Sequence, residues 1–178
     1  MKKLAGIFIL SLVGLSFVNA QSNVIKFNIF APIVKTANFQ YERAFGNKSF
    51  QLGLFYTAFS PETTKFSGFG ITPEFRFYLS ESPAPAGFYA APFLRYQSFT
   101  IEETDPDFEA KGTFSAFGGG IIIGKQWIFK ERVALDLFIG PTFNSGKVEA
   151  ESGDSGNLDA GTFDGFGVRF GVCFGLAF

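Results

Sequence analysis

The 178-residue sequence has no histidine, one cysteine, one tryptophan and, apart from Met1, no methionine. Without histidine, Ser-His-acid and Cys-His catalysis lack their base, and imidazole-ligated zinc is excluded. One cysteine cannot form an internal disulfide, so the fold must hold without one. Cys173 sits among small residues and reads as a space filler rather than a nucleophile. An excess of positive charge is also missing: 15 basic residues face 16 acidic ones, which offers nothing to nucleic acid. Long apolar runs are scarce. Beyond the first 20 residues no window approaches 18 uninterrupted apolar positions, so no second helical membrane span is expected. No segment shows a helical 3.6-residue period. The stretch "GGIIIGK", residues 119–125, imitates a phosphate-binding loop. It is followed by Gln126 rather than Ser or Thr and reads as a strand, so no nucleotide is expected.

What is present is 27 phenylalanines and 21 glycines. The chain opens with Lys2 and Lys3, an apolar run from Leu4 to Val18, and small residues ending at Ala20. This is the form of a secretory signal peptide over residues 1–20, cleaved after Ala20. Residue 21 is Gln rather than Cys, which argues against a lipoprotein. Residues 21–178 then form a single domain. Removing Lys2 and Lys3 leaves 13 basic residues against 16 acidic ones.

The rest of the chain alternates. Ile25, Phe27 and Ile29 oppose Lys26 and Asn28. Phe39 and Tyr41 oppose Gln40 and Glu42, and Leu52, Leu54 and Tyr56 oppose Gly53, Phe55 and Thr57. Phe69, Ile71, Phe75 and Phe77 oppose Gly70, Thr72, Glu74 and Arg76. Leu94 and Tyr96 oppose Arg95 and Gln97, while Leu135, Leu137 and Ile139 oppose Asp136, Phe138 and Gly140. In "GGIIIGKQW" the parity is hidden; Ile121, Ile123 and Trp127 are assigned to the greasy face, with Lys125 snorkelling beside them. Period two is the mark of strands with two unlike faces. Short breaks such as "GNK" and "FKER" alternate with longer ones, at residues 100–113 and 144–161 above all.

A lipocalin-like soluble barrel would need its apolar face inward. Here the opposite face carries the charges, and reversing the faces would expose five large apolar residues of one segment to water. The reading is therefore an all-β, antiparallel up-and-down transmembrane β-barrel with a plugged polar lumen. Eight strands fit the length, and ten are an open alternative. The inward charges Lys26, Glu42, Glu74, Arg76, Arg95, Asp136 and Arg169 are expected to form a lumen network. A buried charge without a partner is costly. Tyr41, Tyr96 and Trp127 are expected at the membrane interfaces. Nine acidic residues, among them Glu102, Glu103, Asp105, Glu149 and Asp154, are expected on two extracellular loops, open to cations or a basic partner.

The ending "RFGVCFGLAF" places Phe170, Val172, Phe174, Leu176 and Phe178 on one face. It resembles the C-terminal signal that outer-membrane proteins present to the barrel-assembly machinery. The whole of 21–178 resembles small outer-membrane barrels of the OmpX, OmpA-transmembrane-domain and opacity-protein type. More narrowly, "FQYERAFGNKSFQLGLFY", "PEFRFYL", "GFYAAPFLRYQSF" and "GKQWIFKERVALDLFIGP" look like a bacterial family of uncharacterised barrel proteins. The resemblance implies an outer-membrane location with both termini periplasmic, surrounded by lipids and lipopolysaccharide. It brings no activity and no cofactor. The expected function is non-enzymatic, a structural or surface-interaction role in the envelope. A narrow channel is the alternative, and a lipid-modifying enzyme a second one, disfavoured by the missing histidine.

Overall fold

The computed structural model describes the backbone of residues 22–60, 64–105, 108–152 and 164–178; side chains of 103–105, 108–110 and 148–152 are not described. The expected leader, residues 1–20, lies outside the described residues. Eight strands follow one another: β1 Asn23–Asn28, β2 Thr36–Phe45, β3 Lys48–Phe59, β4 Thr64–Tyr78, β5 Gly87–Asp105, β6 Phe108–Phe129, β7 Val133–Ser152 and β8 Gly165–Ala177. Each pairs antiparallel with the next, and β1 pairs with β8 from Val24 opposite Ala177 to Asn28 opposite Cys173. The sheet is thereby a closed up-and-down barrel. Backbone bonds between Asn23 and Phe178 seal the seam at the terminal end.

The faces follow the alternation. Phe39, Leu54, Phe69, Ile71, Ile121, Ile123, Ile139 and Phe170 are exposed outside, Ile123 by 63% and Phe170 by 67%. Lys26, Glu42, Arg76 and Asp136 point inward at 0% exposure. Space for the larger inward groups comes from glycines directly opposite them. Phe55 lies across Gly70, Tyr89 across Gly124 and Phe138 across Gly171. A Cβ on Gly70 or Gly124 would come within 2.2 or 2.5 Å of the facing ring, too close for any real contact. Glycine is required there by volume, not by backbone freedom.

Two expected loops are instead strands. Residues 100–113 form a hairpin in which β5 runs to Asp105 and β6 resumes at Phe108. β7 continues through Ser152, so only the later part of residues 144–161 lies beyond it, outside the described residues. The acidic composition suggested a solvated loop. In an antiparallel ladder wet on both faces, however, charges are compatible with strand, and Glu102 pairs with Lys111 at 3.6 Å across it. β6 is 22 residues long, about 70 Å at roughly 3.3 Å per residue. The β4–β7 sheet therefore stands well beyond the rim on the side away from the termini.

At the terminal end, β6 and β7 are joined by a tight turn in which Lys130 and Glu131 both have positive φ, 47° and 59°. Arg132 N–H donates to the Phe129 carbonyl at 3.0 Å. Such a turn matches the strand twist but favours Asn-Gly. Replacing Lys130 by Asn together with Glu131→Gly should stabilise the barrel by about 1 kcal/mol, read as a higher urea midpoint for the refolded protein. An unchanged or lower midpoint would show that the turn is not strained.

Candidate functional site

The lumen is filled in layers. Nearest the termini, Val24, Ala134 and Ala177 make a small apolar floor with Ile128 packed on it. Above it lies a charged layer to which every strand contributes. Lys26 on β1 directs Nζ to Glu42 Oε2 at 2.7 Å, Asp136 Oδ2 at 2.8 Å and Gln126 Oε1 at 2.5 Å. All three ammonium hydrogens are thereby used. Arg76 on β4 donates from Nε to Glu74 at 2.6 Å and from Nη1 to Asp136 Oδ2 at 2.8 Å. Its guanidinium also lies 4.2 Å from the centre of the Tyr89 ring. Glu42 on β2 accepts further bonds from Ser49 on β3 at 2.5 Å and Tyr78 at 2.7 Å. Asp136 on β7 accepts from the Tyr89 hydroxyl on β5 at 2.8 Å. Gln126 on β6 donates to the Pro85 carbonyl at 2.7 Å. That bond draws the β4–β5 connection, in which Pro85 is buried, up against the barrel mouth. Arg169 on β8 reaches Glu74 Oε2 at 2.9 Å and lies between the rings of Phe93 and Phe138, 4.5 and 4.8 Å from their centres.

These groups stand where they do because each is an inward position of its strand at a matching level. Asp136 is opposite Gln126 and Cys173, Ser49 is opposite Arg76, and Glu74 is opposite Gln51, which is opposite Glu42. Gly175 clears the path of Lys26, since a Cβ there would lie 2.7 Å from its Cγ. Three cations and three carboxylates cancel. Every carboxylate oxygen in the layer accepts at least one bond, the condition under which buried ions are tolerated.

Six of the seven charges expected in the lumen are thus brought together. Arg95 is not, and the expectation is corrected. It points inward, but both oxygens of Glu74 are taken by Arg76 and Arg169. Among the described residues, its Nε donates to Thr72 Oγ1 alone, at 3.4 Å. Four members of the layer were not singled out from sequence: Ser49, Tyr78, Tyr89 and Gln126. They are neutral, and their signal was inward parity at the level of the charges. Farther from the termini, Phe55, Phe66, Phe99, Phe114 and Ala116 pack into an aromatic cluster on one side of the lumen. Cys173 is buried, with its sulfur 3.3 Å from Gln40 Nε2.

Outside, Phe170, Phe174, Leu176 and Phe178 are exposed and Val172 is half-buried along β8 and its end. Tyr41 bonds Asn23 at 2.8 Å near the terminal end. Trp127 lies near that end too, 5.0 Å from Lys125 Nζ, which also stands 4.4 Å from the centre of the Phe88 ring. Tyr96 lies farther along, against Phe69. Among the described residues no cluster of acidic or sulfur side chains is arranged to hold a metal ion.

The molecule is therefore a closed, eight-stranded, up-and-down β-barrel with its charges inside and its bulk apolar surface outside. Residues 6–153 match the family described as "Protein of unknown function (DUF3575)", and the chain belongs to that family. No curated protein is significantly similar in sequence. Among solved structures, the N-terminal β-barrel domain of Pseudomonas aeruginosa OprF is similar at 11% identity. That likeness covers 90% of this chain and 100% of that one, with a TM-score of 0.41.

Removing one partner from a buried charged layer leaves the others unpaired. Glu42→Ala strips Lys26, Ser49, Tyr78 and Gln126 of an acceptor at once. We expect a loss of about 3–5 kcal/mol, measured by urea unfolding of the refolded barrel. A change below about 1 kcal/mol, the range of exposed pairs, would mean the layer is hydrated.

Proposed function

We propose that the chain is a non-enzymatic integral outer-membrane barrel whose lumen is shut and whose role in the envelope is structural or one of surface interaction. The observation that carries this is the inversion of the faces. Large apolar side chains cover the outside of all eight strands, while Lys26, Glu42, Arg76 and Asp136 have no exposure inside. In water such an exterior would aggregate. In a bilayer it meets acyl chains, and a closed barrel leaves no backbone unpaired there. No helix of the described residues is long and apolar enough to cross a membrane, so the strands are the elements that would do so.

In this reading residues 1–20 are the export leader, and both termini face the periplasm with the short turns. The β4–β7 extension projects outward beside lipopolysaccharide, where its acidic edge is available to an extracellular partner. Phe170, Val172, Phe174, Leu176 and Phe178 present the assembly signal, and Tyr41, Tyr96 and Trp127 occupy the two interfaces. The lack of histidine in the sequence weighs against Ser-His-acid and Cys-His catalysis and so favours a non-enzymatic role. A channel is the second reading, and the charged layer from all eight strands weighs against it.

Ile71 faces outward seven residues before the end of β4 at Tyr78, near the expected middle of the bilayer. Ile71→Arg should cost about 2–4 kcal/mol of folding stability in lipid vesicles, whereas Thr72→Ser on the inner face should cost far less. Equal effects, or a variant that folds in water without lipid or detergent, would remove the membrane reading. In planar bilayers the unmodified protein should show no stepwise conductance. Regular steps would favour the channel.

A further inference from the structure

β1 ends at Asn28, while β2 and β8 continue past it toward the far rim. The last β1–β8 pair is Asn28 with Cys173, and Ile29 N–H makes one more bond, to the Val172 carbonyl. Beyond that point the wall parts between β2 and β8. A polar pocket of about 220 Å³ occupies the gap and is lined by Asn28, Asn38, Gln40, Arg95, Phe138 and Arg169.

The charges at this pocket do not balance. Lys26, Arg76 and Arg169 are matched by Glu42, Glu74 and Asp136 within the layer below. Arg95 is the remainder. Among the described residues it has no carboxylate within ion-pair distance, and its one bond, to Thr72 at 3.4 Å, is long. Its guanidinium is 5.9 Å from the centre of the Phe93 ring, and that of Arg169 is 4.5 Å from the same ring. Two like charges are held close in a narrow interior, which is costly without a counter-charge.

Two of the neutral groups around them, Asn28 and Asn38, are oriented as donors, while Gln40 spends its amide hydrogens on Asn38 and Cys173 and keeps a buried Oε1 without a partner. The Asn28 side-chain oxygen is occupied by Phe30 N–H at 2.9 Å, and its Nδ2 lies over Gly171, where an added Cβ would come within 2.9 Å of it. The Asn38 oxygen accepts from Gln40 at 3.0 Å, which leaves its own amide hydrogens free to donate.

We propose that this pocket binds an oxyanion, a phosphate or carboxylate group, between Arg95 and Arg169, with the amides of Asn28 and Asn38 as further donors. The arginine fork suits such a group geometrically as well as by charge. The volume is below the range of about 300–1,000 Å³ usual for drug-sized ligands, so the site takes a single small group. The opening between β2 and β8 admits that group either as a free ion or as the headgroup of a lipid alongside the barrel. The inference goes beyond the structural role proposed above, and its chemistry does not depend on which face of the membrane the pocket meets.

The test is NMR of the arginine Nε–H groups of the folded barrel. In one arm inorganic phosphate, then acetate, is titrated into protein in an uncharged maltoside detergent. In the other, the protein is placed in phosphatidylcholine nanodiscs with and without phosphatidylglycerol. The expected result is a saturable shift of Arg95 and Arg169 in at least one arm, weakened about tenfold or more in Arg95→Gln, as loss of a charge-assisted bond implies. A response to the free anions alone identifies a soluble ligand, and a response to phosphatidylglycerol alone identifies a headgroup. Because Arg95 stands beside Arg169 with no carboxylate within ion-pair distance among the described residues, Arg95→Gln should also raise the urea midpoint in anion-free buffer. Absence of saturable shifts in both arms, equal affinity in the variant, or a lowered midpoint in anion-free buffer would overturn the proposal.

Discussion

The barrel depends on the ion layer that Lys26 and Arg76 form with Glu42, Glu74 and Asp136. A narrow barrel with a polar interior faces a conflict. Its inward side chains are removed from water, yet its outer face takes most of the large apolar groups. A charge in that interior is tolerable only when it is paired and hydrogen-bonded. The sequence meets this by placing opposite charges at one level on non-neighbouring strands, although Arg76 Nη2 is buried without a hydrogen-bond partner. Lys26 joins β1 to β7, and Arg76 joins β4 to β7 across the lumen. Neutral donors complete the set from the remaining strands. A shift of one residue in any pairing would send these groups to the outer face, so the layer and the register specify each other.

Packing follows from the same constraint. Tyr89 can reach Asp136 only because Gly124 faces it, and Lys26 reaches the layer only because Gly175 is bare. Glycine content is thus the complement of the inward aromatic and charged groups. The bulky residues displaced from the inside become the outer surface, which makes the apolar exterior and the charged lumen two consequences of one pattern. The floor of Val24, Ala134 and Ala177, together with the β4–β5 connection held by Gln126, covers the layer from the terminal side.

Much of this was legible in the sequence because period two is strict. The inward position of Lys26, Glu42, Arg76 and Asp136, and their common level, follow from parity and from counting along strands. Gln126 and Ser49 were less visible, because a neutral side chain carries no sign that demands a partner. Arg95 shows the limit of parity. Its direction is set by alternation, but its lack of a carboxylate depends on which oxygens of Glu74 are already engaged. The hairpin over residues 100–113 was hidden by its acidic composition. Its signal was the β-prone residues Thr100, Ile101, Thr113 and Phe114, in strands that no longer have a lipid face to mark them.

The central claim is that ions on strands that are not neighbours are coupled across the lumen. A double-mutant cycle on Arg76 and Asp136, with Arg76→Ala, Asp136→Ala and both together, measures that coupling directly by urea unfolding. These residues lie on β4 and β7 with Nη1 2.8 Å from Oδ2. The account predicts a coupling energy of at least about 1.5 kcal/mol, as for other close buried charge pairs. Additivity within about 0.5 kcal/mol would contradict it, and would describe a water-filled lumen in which the two charges act independently.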